Sequence, residues 1–146
     1  MGESGYVAAA KRILDAADAL AAGIRAIPGL AVMGEHTMVV AFRSTEAALD
    51  IYAVNDALTA AGWHLNALQR PPALHFCVTD ACAGAVPALL DALRGAVGTA
   101  RERAHTRAGH PPGAMAPVYG MAGGLPDRGA VGDLLKRVQD HMLDSA

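Results

Sequence analysis

Apolar residues recur along this chain at the three- and four-residue steps of amphipathic helices. The first stretch predicts a helix that ends at Pro28-Gly29. The second predicts a helix with Asp50 as N-cap and Gly62 as the left-handed residue after its end. The third predicts a helix capped by Thr79 or Asp80. The three apolar stripes are Tyr6, Ala9, Ala10, Ile13, Ala17, Leu20 and Ile24; Ile51, Val54, Leu58 and Ala61; and Val86, Leu89, Leu90, Leu93, Val97 and Ala100.

Shorter runs between these helices predict strands. Residues 30–33 and 38–42 predict a hairpin around the turn Gly34-Glu35-His36-Thr37, and residues 63–68 and 73–78 predict a second pair of strands. The resulting order is helix, strand, strand, helix, strand, strand, helix. It predicts an α+β fold in which helices cover one face of a small, mostly antiparallel sheet.

The 146 residues are enough for one domain with a sizeable core, which we place at residues 5–106. Residues 107–126 are rich in Gly and Pro and keep no period, which predicts an irregular segment. A segment this long without elements is uncommon in a compact domain unless it is functional or disordered. A last helix is predicted over 127–143, with the stripe Val131, Leu134, Leu135, Val138 and Met142.

Composition excludes several classes of protein. The net charge is −2 and no run of Lys and Arg is present, which argues against a nucleic-acid surface. No stretch has the pattern of a signal peptide or approaches the ~20 apolar residues of a membrane span. Cys77 and Cys82 are too few for a disulfide framework, and they predict free thiols in a reducing compartment. We therefore expect a cytoplasmic protein.

Side-chain alternation gives the second pair of strands two different faces. One face is apolar: Trp63, Leu65, Ala67, Leu74, Phe76 and Val78. The other is the polar stripe: His64, Asn66, Leu68, His75, Cys77 and Thr79. Such a stripe either lines a cleft or is simply a partly solvated sheet face, and spacing alone leaves both interpretations open.

Two kinds of chemistry find little support in the polar stripe. A metal site needs three or four convergent donors, and no acidic residue accompanies His64, His75 and Cys77, so no metal site is predicted. A nucleophilic Cys77 beside His75 is a weak indication, because a cysteine within a strand usually acts as a small hydrophobic residue.

The amino-acid identities along the chain indicate its function more specifically than the spacing of the polar stripe does. The similarity runs in one order along nearly the whole chain, and its motifs are Gly5-Tyr6, Met33-Gly34, Gly62-Trp63, Leu65-Asn66, Leu68-Gln69, Pro71-Pro72, His75-Phe76-Cys77-Val78-Thr79 and Pro117-Val118-Tyr119-Gly120-Met121-Ala122. The pattern resembles the C-terminal domain of sphingosine-1-phosphate lyases, which depend on pyridoxal 5′-phosphate (PLP).

This resemblance implies a fold-type-I PLP enzyme that works as a homodimer. Such enzymes hold PLP as a Schiff base on a lysine of a large domain, and the lyase cleaves a phosphorylated sphingoid base into a fatty aldehyde and phosphoethanolamine. The large domain is absent here, and the chain has only Lys11 and Lys136, both on predicted amphipathic helices. We therefore expect no catalytic or cofactor-binding residue in this chain, and no activity of the chain alone.

Five residues are candidates for the mouth of the active site in the complete enzyme. They combine the polar stripe with the irregular segment, and they are His64, Asn66, His75, Tyr119 and Met121. An alternative role for the same block is to fix the packing between domains. Two further alternatives for the whole chain are the same domain of a related PLP-dependent amino-acid decarboxylase, or a free-standing, non-catalytic α+β module for binding or dimerisation.

Overall fold

The elements follow the predicted order. A computed structural model of the protein describes residues 2–106. Its helices and strands are α1 (Glu3–Arg25), β1 (Leu30–Val32), β2 (Val39–Ser44), α2 (Ile51–Ala60), β3 (Asn66–Gln69), β4 (Pro72–Cys77) and, after a 3₁₀ turn at Ala83–Ala85, α3 (Val86–Thr106). The predicted irregular segment at 107–126 and the predicted helix at 127–143 lie outside the described residues.

The four strands form one antiparallel sheet in the order β1-β2-β4-β3. Val32 faces Phe42 across β1 and β2, and Phe42 in turn faces Leu74 of β4. Leu74 faces Ala67 of β3. This row of apolar side chains crosses the whole sheet on one face, and that face is the side on which a core can form. The α+β prediction is confirmed.

The helices pack together over that apolar face. α1 contacts β1, β2 and α3, while α2 contacts β4 and α3. The largest fully buried side chains come from all three helices, from the two central strands and from the residue that follows β4: Leu20, Ile24, Val40, Phe42, Val54, Leu58, Leu74, Val78, Leu89, Leu93 and Val97. Burial of a Leu- or Phe-sized side chain contributes about 1.5–3 kcal/mol, so this shared cluster ties the elements to one another.

Local signals fixed both ends of α2. The carboxylate of Asp50 accepts a hydrogen bond from the backbone N–H of Tyr52 at 2.9 Å, as expected of an N-cap. Gly62 has a φ of +86°, as predicted for the residue after the helix. The N–H groups of Gly62 and Trp63 bond to the carbonyls of Thr59 and Leu58, which is a Schellman motif.

That same motif explains why the predicted strand 63–68 was wrong at its start. The backbone of Trp63 closes the end of α2, so it is not available for a sheet ladder, and β3 begins only at Asn66. β2 is also displaced from its predicted range of 38–42, since its pairing with β1 extends to Ser44. The hairpin turn is correspondingly longer than four residues.

The predicted cap of α3 was also wrong. α3 begins at Val86, several residues after Thr79 and Asp80. The carbonyl of Thr79 instead accepts the N–H groups of Cys82 and Ala83. The carboxylate of Asp80 is engaged by Arg12 of α1, which is a tertiary contact that periodicity cannot reveal.

Candidate functional site

The polar stripe lies on the face of the sheet opposite the core. His75 is on β4, where it faces Asn66 of β3 on one side and Ala41 of β2 on the other. Its neighbours Leu74 and Phe76 contribute to the core, so alternation turns the His75 side chain outward. His75 is therefore at the centre of a row that spans three strands.

One nitrogen of His75 has no hydrogen-bond partner. The residue is half-buried, and its Nδ1 is buried without a partner among the described residues. Leaving a buried polar atom unsatisfied costs about 1–3 kcal/mol. An imidazole nitrogen is a donor or an acceptor according to the tautomer, so this unsatisfied atom singles out His75 within the row.

The structure brings two of the predicted residues together. Asn66 is exposed and directly opposite His75, so the amide and the imidazole lie side by side on one face. His64 is exposed and comes before β3, outside the ladder. Tyr119 and Met121 lie outside the described residues, so their relation to this row stays a prediction.

Two residues of β2 belong to the same face and were not found from the sequence. Ala41 is the small residue directly opposite His75 on β2. Arg43, exposed, follows two positions along β2 and projects from the same face. Alternation in β2 was the available signal, because the apolar residues Val40 and Phe42 share one face and leave Ala41 and Arg43 on the other. The pairing of β2 with β4 was the missing information.

Both cysteines are free thiols, as predicted. Cys77 is exposed at the end of β4. The sulfur of Cys82 accepts the backbone N–H of Thr79 at 3.1 Å and lies 3.2 Å from the Thr79 hydroxyl. Cys82 therefore helps to shape the turn between β4 and α3, and no hydrogen bond joins Cys77 to His75 within residues 2–106.

Two cations of α1 are engaged by carboxylates on the surface. Lys11 Nζ lies 2.8 Å from Asp15 Oδ2 one turn later, and its hydrogen bond with Asp15 raises the pKa of the Lys11 ammonium. Arg12 binds Asp80 through two parallel hydrogen bonds of 2.8 and 3.0 Å. The hydrogen bond from Arg12 lowers the pKa of the Asp80 carboxyl.

The described part of the chain contains neither a cluster of metal ligands nor a membrane-spanning helix. Within residues 2–106 no three His, Cys, Asp or Glu side chains converge as metal ligands would. No helix in that range is both long and apolar enough to cross a bilayer.

Curated relatives of this chain include several sphingosine-1-phosphate lyases. No family model matches it. The sphingosine-1-phosphate lyase of Arabidopsis thaliana is 43% identical over 141 residues, which are 96% of this chain and 25% of that protein. The sphingosine-1-phosphate lyase of Saccharomyces cerevisiae is 34% identical over 137 residues, 92% of this chain and 23% of that protein. The chain is homologous to one part of the sphingosine-1-phosphate lyases.

A solved structure agrees with this relationship. The sphingosine-1-phosphate lyase of Burkholderia pseudomallei aligns with a TM-score of 0.65 and 44% sequence identity, over 73% of this chain and 24% of that one. The resemblance to the lyases is thereby confirmed. This chain spans about a quarter of the length of the lyases it matches, so it corresponds to a partial domain of a larger enzyme.

The described residues do not fit the covalent attachment of PLP. A lysine that forms a Schiff base needs a neutral amine, which enzymes obtain by desolvation or by a neighbouring cation. Lys11 has the opposite environment, because its side chain is 73% exposed and its ammonium is stabilised by Asp15. Lys136 lies outside the described residues.

Proposed function

We propose that this chain forms the C-terminal domain of a PLP-dependent lyase that cleaves a phosphorylated sphingoid base into a fatty aldehyde and phosphoethanolamine. The observation that supports this most strongly is the 43% identity to a sphingosine-1-phosphate lyase across 96% of the chain. The substrate in the name of these relatives, sphingosine-1-phosphate, favours this reaction over those of the amino-acid decarboxylases. No observation favours a free-standing module.

The cofactor in this proposal belongs to the larger part of the enzyme. PLP supplies an electron sink for the cleaved bond, while the protein orients it and tunes its electronics. Lys11 is unsuited to hold it, so the chain alone is expected to form no Schiff base and to have no lyase activity. Addition of PLP and borohydride to the isolated chain tests this. A stable adduct that disappears in Lys11→Ala or Lys136→Ala contradicts the proposal.

The outer face of the sheet contributes to the mouth of the active site in this proposal. The row of Asn66 and His75 contributes an amide and an imidazole, and Arg43 adds a cation suited to a phosphate group. His64, Tyr119 and Met121 are the further candidates for this mouth. The alternative role of the same block is packing between domains.

A hybrid enzyme tests the proposed function. In it, this chain replaces the homologous quarter of the Burkholderia pseudomallei lyase. We expect the hybrid to cleave sphingosine-1-phosphate within about tenfold of the natural rate, a difference of about 1.4 kcal/mol. A hybrid that folds, binds PLP and is inactive contradicts the proposed function. Sedimentation of the same hybrid tests the proposed homodimer.

Substitutions in the hybrid test the mouth of the active site. His75→Ala, Asn66→Ala and Tyr119→Phe should each lower kcat/KM by about tenfold, as expected when one hydrogen bond to substrate is lost. Arg94→Gln is the control, since Arg94 is exposed on α3 and pairs only with Asp91 within the described residues. Unchanged kinetics in all three variants, with unchanged folding, assigns the block to domain packing.

A further inference from the structure

Three large apolar side chains stay exposed in the first half of α1. Among the described residues, Tyr6, Val7 and Leu14 are 68%, 64% and 46% exposed. We call these three residues the apolar patch. Single exposed hydrophobic residues are ordinary, but a group on one side of a helix marks an interaction surface.

The apolar patch continues the buried face of α1. The fully buried residues of this helix all lie in its second half: Ala17, Leu20, Ala21 and Ile24. Tyr6 lies about five helical turns before Ile24, and Leu14 about two turns before Ala21, so each pair points in the same direction. The stripe that meets the core in the second half of α1 is therefore exposed in the first half.

We infer that the apolar patch is the surface on which the remaining part of the lyase chain packs. This inference rests on the proposed function. The lyases related to this chain are about four times as long as the part it matches, so they contain a further body to cover the patch. That body is covalently attached, and attachment gives it an effective concentration near the millimolar range, well above that of a second copy in solution.

Two double variants of α1 test the inference. Tyr6→Gln with Leu14→Gln removes apolar surface from the patch. Ala8→Gln with Ala22→Gln is the matched control, because Ala8 and Ala22 are exposed on the opposite side of the same helix. In the isolated chain both double variants should keep the urea midpoint of the parent, since all four positions are exposed. This result also shows that each variant folds.

The hybrid lyase then reports on docking. The double variant Tyr6→Gln with Leu14→Gln should increase the rate of limited proteolysis at the junction between this chain and the rest of the hybrid by about tenfold. This corresponds to ~1.4 kcal/mol of lost packing. The control variant should leave it unchanged. Val7→Gln is a milder single variant and should give a smaller increase. Proteolysis does not depend on catalysis. If the parent hybrid is inactive but resists proteolysis more than the patch variant does, the proposed function is contradicted and the docking surface is still supported.

Two outcomes overturn the inference. One is equal proteolysis of the parent hybrid and the patch variant. The other is dimerisation of the isolated chain through Tyr6 and Leu14, together with a proteolysis rate of the hybrid that the same substitutions do not change. In that case a second copy of the chain occupies the patch. Sedimentation of the isolated chain and of its patch variant distinguishes the two.

Discussion

The imidazole of His75 is kept in a position that does not favour stability. Its buried Nδ1 has no partner among the described residues, although a partly buried site on a central strand accommodates apolar residues readily. Buried polar atoms left without a partner are concentrated at functional sites. This is the physical reason to place His75 ahead of Asn66 as a candidate site residue.

Removal of the unsatisfied nitrogen gives a direct test at this residue. In the isolated chain, His75→Leu should leave the free energy of unfolding unchanged or raise it by up to about 1 kcal/mol, because no hydrogen bond is lost. His64→Leu is the control, since it makes the same change at an exposed position off the sheet. Urea unfolding measures both. A loss of more than about 1 kcal/mol in His75→Leu means that Nδ1 does have a partner.

The pair formed by Arg12 and Asp80 predicts a dependence of stability on pH. The pKa of Asp80 is lowered in the folded chain, so its contribution is fully present above the usual carboxyl pKa and is lost as pH falls through the lowered value. Asp80→Asn should therefore reduce the urea midpoint slightly at pH 7. The difference from the parent should shrink as the pH falls below the usual carboxyl range and vanish below the lowered pKa of Asp80. Asp91→Asn, which removes a pair within α3, is the control. A difference that persists at low pH contradicts the ion-pair explanation.

Single residues also show where sequence reasoning succeeded and where it failed. The roles of Asp50 and Gly62 were predictable because each is set by backbone groups within a few residues. Asp80 looked equally suited to cap α3, but it is bound by Arg12, 68 residues away in the chain. Local chemistry cannot indicate a competing partner at that distance.

At the scale of elements, two glycines in open space predict opposite effects. No atom lies within 4 Å of a methyl group added at Gly62 or at Gly95. Gly62 has a φ of +86°, so Gly62→Ala should cost about 1–2 kcal/mol through backbone strain. Gly95 lies within α3, so Gly95→Ala should stabilise the chain by about 0.8–1.0 kcal/mol.

Urea unfolding of the two glycine variants provides an internal comparison, because the side-chain change is identical. Loss of stability in both variants contradicts this explanation and indicates that α3 is packed against something at Gly95. Gain in both indicates that the turn after α2 relaxes without strain.

Elements were easier to predict than their edges or their partners. Three amphipathic stripes and two strand pairs gave the α+β class and the element order, because each depends on periodicity within one segment. β3 began late because the Schellman motif uses Trp63. The order β1-β2-β4-β3 places Ala41 and Arg43 beside His75. Since strand order is a property of long-range packing, these two members of the candidate site were not predictable from alternation alone.

At the scale of the whole molecule, one cluster of buried side chains joins α1, α2 and α3 to the sheet. The buried residues of α1 all lie in its second half, whereas Tyr6, Val7 and Leu14 in its first half are exposed. The described part of the chain thus combines one core with an exposed apolar surface on α1. A domain with one core is expected to unfold in a single transition.

The only tryptophan offers a way to test that cooperativity. Trp63 is partly buried against the core, so its fluorescence reports tertiary packing, while far-UV circular dichroism reports the helices. The two urea transitions should coincide. Phe42→Ala should lower the free energy of unfolding by about 3–5 kcal/mol by either probe, because Phe42 is 1% exposed at the centre of the sheet. Tyr6→Ala, the same truncation of an exposed aromatic residue, should change it by less than about 0.5 kcal/mol. If fluorescence and circular dichroism give separate midpoints, the cluster does not act as one core, and the helices hold their structure without the sheet.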